Sequence, residues 1–168
     1  MSDLSHIPDG YHTVTPYLIC KGAAGAIDFY KEAFGATEDM RMEIPGMGIG
    51  HAELTIGNSK IMLGDECPSM DFLSPQSIGG TPVGICLYVA DADGIFQQAV
   101  DQGATVKKPI EDQFYGDRSG TVIDKWGHLW TIATRKEDLT VEQMKERAAE
   151  FMKQQGGEHG APASEQSQ

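Results

Sequence analysis

His51 and Glu53 stand two residues apart in GHAELTI, so on an extended chain both side chains leave the same face. An imidazole beside a carboxylate can move a proton or supply two metal donors, or it can form a local ion pair on a solvated strand. Both readings are open at this stage. Polar groups are denser in FYGDRSGTVIDKWGHLWTIAT, residues 114–134. There Tyr115 and Arg118 either present a phenol and a planar guanidinium fork to an anionic ligand, or belong to a turn in which Gly116 and Gly120 shape the backbone and Asp117 and Arg118 pair with neighbours. Asp124, Gly127 and His128 read as turn chemistry: an aspartate that accepts from backbone amides, a glycine at the bend, and a histidine in phase with Trp130 and Ile132 on a helix-facing layer. The sequence has no GxSxG elbow, P-loop, GxGxxG or HExxH. The mechanistic classes that use these motifs thereby lose their local signature.

The elements that position these residues come in two matching sets. TVTPYLIC at 13–20 has the character of a strand, and GAAGAIDFYKEAFG follows as a helix with Ile27, Tyr30, Ala33 and Phe34 on one face and Gly35 at its end. TEDMRMEI, HAELTIG and KIMLGDE are three strands, the last two joined at Gly57-Asn58. CPSMDFLSPQSIGG, residues 67–80, has no sustained period and reads as a linker or mobile loop. The order then repeats: GICLYVA, a helix in DADGIFQQAVDQGA opened by an acidic cap, then TVKKPI, a strand near 120–123, and HLWTIAT. GAIDFYKEAFGAT at 25–37 lies over DGIFQQAVDQGAT at 93–105, which supports an internal duplication of a β-α-β-β-β unit. Residues 11–66 and 81–138 are the two modules.

Thr140 and Gln143 form a capping box ahead of an amphipathic helix over 139–155, which would pack on the body or on a partner subunit. Residues 1–10 are expected to be flexible. Residues 156–168 lack large apolar side chains and are expected to be disordered, which makes His159 a poor ligand candidate. The chain carries 25 acidic and 13 basic residues, a formal charge of -12, which repels nucleic acid and anionic membrane surfaces. No apolar run approaches the roughly 20 residues of a membrane span. Cys20, Cys67 and Cys86 have no CxxC spacing and fit free thiols in a reducing, cytoplasmic setting.

IDFYKEAFGA, GNSKIMLGDE and YGDRSGTVIDKWGHLWTIATRKED resemble the glyoxalase/bleomycin-resistance/extradiol-dioxygenase, or vicinal oxygen chelate, superfamily across residues 11–138, in its poorly characterised FYGDR…GHxW branch. The resemblance implies an α+β fold of two tandem βαβββ modules, each a curved half-barrel sheet with helices outside and a ligand cup inside. Metal-dependent members carry ligands on the first and last strand of each unit, positions that fall here on Thr15, Met62, Gly84 and Thr131. None is a credible ligand for a transition metal, so the usual metal centre, and any cofactor, is expected to be absent. Tyr17, Cys86 and Tyr88 alternate with these positions along the inner face, and His51 and Glu53 look into the same cup. The leading expectation is a protein that binds a small apolar or aromatic molecule, as a homodimer that completes the cup. The alternatives are a lyase, isomerase or oxygenase built on His51, Glu53 and Tyr115, and a structural or partner-binding role for the C-terminal helix.

Overall fold

Two β-α-β-β-β units follow one another in the computed structural model, which describes residues 5–155. The first comprises β1 (Tyr17–Cys20), α1 (Ala23–Phe34), β2 (Thr37–Ile44), β3 (Gly48–Ile56) and β4 (Ser59–Asp65). After a four-residue helix α2 (Pro75–Ile78), the second comprises β5 (Gly84–Tyr88), α3 (Ala92–Asp101), β6 (Thr105–Asp112), β7 (Asp117–Ile123) and β8 (Leu129–Arg135), and α4 (Val141–Gln155) closes the described chain. Each unit makes an open four-stranded sheet, ordered β1-β4-β3-β2 and β5-β8-β7-β6. In both, the first strand runs parallel to the last and the other pairs are antiparallel.

Strand alternation decides what each sheet buries. Ala52, Leu54 and Ile56 of β3, Ile61 and Leu63 of β4, and Val122, Trp130 and Ile132 of the second sheet all turn toward the helices and are buried. His51, Glu53, Met62 and Thr131 take the opposite face. Helix α1 has no side-chain cap of its own at Gly22. Asp65, at the far end of β4, supplies one: its Oδ1 accepts from the amides of Gly22 and Ala23 at 2.8 Å each, and its Oδ2 accepts from Ile49 N at 2.7 Å. Gly35 ends α1 in the left-handed conformation, at φ 65°, as a C-terminal glycine does. Helix α3 is capped by Asp91, which accepts from Gly94 N at 3.0 Å. A side chain at Gly120 would strike Phe96 at 2.6 Å, so this glycine lets α3 lie close on β7.

The two modules share one core. Phe34 of α1 packs on Trp130 of β8 with ring centroids 4.7 Å apart, and Trp126 donates from Nε1 to the Gly22 carbonyl at 3.0 Å. At the centre lies Asp124, buried in the β7–β8 turn. Its Oδ1 accepts from Trp126 N and His128 N at 2.9 Å each, and its Oδ2 accepts from Tyr30 Oη at 2.7 Å and Trp130 Nε1 at 3.0 Å.

Several sequence boundaries move. The first strand is shorter than TVTPYLIC, because Pro16 has no amide to give the ladder, although its carbonyl still accepts from Met62 N at 2.9 Å. The expected linker at 67–80 contains a 3-10 turn at Pro68–Met70 and α2, and it is tied down at Glu66, which accepts from Ser74 N, Ser74 Oγ and Ser77 Oγ at 3.0, 2.7 and 2.7 Å. The capping box of α4 forms in both directions, Gln143 N to Thr140 Oγ1 at 3.2 Å and Thr140 N to Gln143 Oε1 at 2.9 Å. The helix leans on Phe114 through Phe151, centroids 5.3 Å apart. Residues 1–4 and 156–168, including His159, lie outside the described residues. Within the N-terminal stretch, Tyr11 N turns back to Pro8 O at 3.1 Å, and Lys60 Nζ sits 5.6 Å over the Tyr11 ring.

Tyr30→Phe removes one bond to a buried carboxylate and should lower the unfolding free energy by about 1.5–3 kcal/mol in urea titrations. Asp124→Ala strands four donors and should cost more, about 3–5 kcal/mol. A Tyr30→Phe loss below about 0.5 kcal/mol would contradict the central role of this carboxylate.

Candidate functional site

On the open face of the first sheet, Tyr17 of β1 meets His51 of β3, with Oη 3.1 Å from Nδ1, and His51 Nε2 lies 3.3 Å from Glu53 Oε1. The expected pair therefore exists, and a phenol extends it. Beyond Glu53 the face turns polar: Thr55 donates to Asp39 at 2.7 Å and Lys60 pairs with Asp39 at 2.9 Å. Tyr11 covers this end. Among the described residues its buried hydroxyl has no hydrogen-bond partner, and burial, reinforced by the neighbouring Glu53, pushes its pKa up to about 12.

The second sheet presents hydroxyls. Tyr88 of β5 donates to Asp117 Oδ2 at 2.7 Å, Thr121 and Thr131 bond across β7 and β8 at 3.0 Å, and Tyr115 lies 3.3 Å from Ser119 Oγ. The hydrogen bond to Asp117, helped by partial burial, raises the Tyr88 pKa to about 12. Cys86 is exposed on the same strand.

Among the described residues, the expected pocket positions are distributed over more than one cavity. Thr15 precedes β1 and lines, with Cys86 and Tyr88, a cavity of about 510 Å³ between the modules. Gly84 lines, with Tyr17, a second of about 450 Å³ on the other side of the junction. The parallel ladders oppose Met62 to Tyr17 and Thr131 to Cys86, whereas Thr15 and Gly84 stand two residues earlier along the chain. Arg118 takes the paired reading. Strand alternation turns it away from Asp117 and Ser119 onto the helix side, where its fork closes on Asp93 at 2.6 Å through both Nε and Nη2 and reaches Asp112 at 3.2 Å. It has no free fork to offer a ligand on the open face.

His128 takes the interface position that its phase indicates. It is buried, its Nε2 donates to the Ile19 carbonyl at 3.2 Å, and Cys20 Sγ lies 3.8 Å away. Burial lowers its pKa and keeps the imidazole neutral, while the buried Cys20 thiol is pushed up and unreactive.

A cavity of about 530 Å³ that sequence reading missed opens at the end of the first sheet, walled by Tyr17, Ile19, Ile44, Met47, Met70 and Phe72 with Asp65 and Glu66 among them. Four of these apolar groups are well exposed, Met70 at 66%, Met47 at 57%, Phe72 at 50% and Ile44 at 43%. The available signal was the apolar content of CPSMDFL, a segment read only as a linker because it has no period.

With the geometry in view, similarity to known proteins can be placed. A family model described as glyoxalase/bleomycin resistance protein/dioxygenase superfamily matches residues 10–132. The chain belongs to this superfamily. An uncharacterized protein of Mycobacterium bovis is 41% identical over 134 residues, covering 78% of this chain and 88% of that one. The crystal structure of TioX from Micromonospora sp. ML1 superposes with a TM-score of 0.60 at 25% identity, covering 74% of this chain and 98% of TioX. The X-ray structure of an Arabidopsis thaliana gene product gives 0.59 at 26% identity, covering 75% and 99%.

The positions that superfamily resemblance assigns to metal ligands can be tested for donor chemistry. Whether taken as Thr15, Met62, Gly84 and Thr131 or, by the observed ladders, as Tyr17, Met62, Cys86 and Thr131, they offer at most a phenol, a thioether, a thiol and a hydroxyl. That set does not fit a divalent transition-metal centre built on imidazole and carboxylate.

Tyr88 titrates near 10 when unfolded and at about 12 when folded, so its bond to Asp117 is fully present below pH ~10 and is lost as pH climbs through about 12. Asp117→Asn should bring one tyrosine equivalent back toward ~10 in a near-ultraviolet absorbance titration. An unchanged titration curve would remove Asp117 as the cause.

Proposed function

We propose that this superfamily member binds a small apolar or aromatic molecule on the open face of its first sheet, without the usual metal centre. The observation that carries the reading is the cavity of about 530 Å³ with exposed Met70, Met47 and Phe72 at its mouth. Its size falls within the roughly 300–1,000 Å³ of small-molecule sites, and its apolar walls with a few polar groups match their make-up. The donor set at the ligand positions supports the metal-free part. We further propose a homodimer in which a second copy completes the open face, since Tyr17 and Tyr88 are left 44% and 62% exposed on the two sheets. The acidic charge and the three free cysteines favour a cytoplasmic setting without nucleic acid or membrane partners. Among the described residues no helix is long and apolar enough to cross a membrane.

A second reading is favoured by the Tyr17–His51–Glu53 chain, which provides a proton path for a lyase, isomerase or oxygenase of the superfamily. A partner-binding role for α4 draws on Val141, Phe151 and Met152, which stay exposed.

Thermal-shift screening should find an apolar or aromatic binder that stabilises the protein by about 2.7 kcal/mol at 100 times its dissociation constant. Protein purified without chelator or metal-affinity resin should hold far less than one transition metal per chain, and a stoichiometric metal would defeat the metal-free reading. His51→Ala and Glu53→Ala should leave the affinity of such a binder within about twofold. Loss of a measured turnover in both variants would favour the enzyme reading.

A further inference from the structure

We propose that the cavity at the end of the first sheet selects organic cations, an apolar or aromatic body on Tyr17, Ile44, Met70 and Phe72 with an ammonium or amidinium head drawn by Asp65 and Glu66. This rests on the ligand-binding reading and adds the charge class. The lining contains two carboxylates and no lysine, arginine or histidine. Both carboxylates are satisfied by neutral donors: the amides of Gly22, Ala23 and Ile49 on Asp65, and Ser74 and Ser77 on Glu66. Such donors fill lone pairs and leave the negative charge in place. Lys21 approaches Glu66 only to 3.9 Å, from a side chain 65% exposed, and does not line the cavity.

The amino end of α1 offsets part of the Asp65 charge, which leaves Glu66 as the stronger attractor. Hydrogen bonds from Ser77 and Ser74 hold the Glu66 carboxyl at about 2, so it remains ionised through the physiological range. Phe72 and Tyr17 line the cavity with rings, which attract cations, and Met47 and Met70 are flexible enough to adapt to an attached body. An anion of the same shape meets two like charges in a partly desolvated wall. The overall charge of -12 raises the local concentration of cations further.

The test uses the full chain and three probes with one aromatic body: 1-naphthylmethylamine, 1-naphthylmethanol and 1-naphthoate, titrated calorimetrically at low ionic strength. The amine should bind about tenfold tighter than the alcohol, and the carboxylate weakest. Glu66→Gln should remove most of the amine's advantage over the alcohol, read as the ratio of the two affinities within the same variant. Met47→Lys, at an exposed position in the cavity wall, should shift preference toward the carboxylate and serves if the Glu66 variant fails to fold. Equal affinity for all three probes overturns the charge selection and leaves the ligand reading standing. No binding of any probe counts against both.

Discussion

One buried carboxylate holds the two halves of this protein together. Asp124 takes two backbone amides of its own turn with one oxygen, and the Tyr30 hydroxyl and Trp130 indole with the other. The first two bonds shape the β7–β8 turn, the Tyr30 bond fastens that turn to α1 of the other module, and the Trp130 bond ties it to β8 of its own. The ring contacts of Phe34 with Trp130 and of Phe29 with Trp126 form around this point, with centroids 4.7 and 5.7 Å apart. Burying a carboxylate is favourable only where donors replace water, and every donor here is neutral and in place. The helix layer then covers the back of both sheets, which leaves their front faces free for ligands.

Much of the fold was legible because it depends on local period. TEDMRMEI became β2 with the same boundaries, and the alternation of Ala52, Leu54 and Ile56 against His51, Glu53 and Thr55 sorted β3 into its two faces. The DKWGH turn was legible for the same reason, since Asp and Gly have few other uses at such a bend. What period cannot supply is depth along a strand. Tyr17, not Thr15, stands opposite Met62 because the ladder begins after Pro16, and a proline in a strand-like run leaves that starting point undefined.

The candidate site was legible only in part. The His51–Glu53 pair is a same-strand relation and was readable, whereas its link to Tyr17 joins residues 34 positions apart. Which of its two readings Arg118 takes was not legible, because a cation in a polar stretch looks available until its partners are known. Asp93 and Asp112 come from α3 and β6, and only the packed fold brings them to it. The cavity at Met70 and Phe72 depends on a loop pinned by Glu66, an arrangement with no periodic signature.

Asp65 sits at the join between two of these systems. It walls the cavity with one side of its carboxylate's surroundings and closes the amino end of α1 and the start of β3 with its hydrogen bonds. That wall cannot retreat without uncapping the helix that carries Tyr30. The carboxylate end of the cavity is therefore fixed, whereas the methionines and Phe72 at its mouth are exposed side chains with room to adjust. The site has the character of a fixed anvil facing a soft jaw.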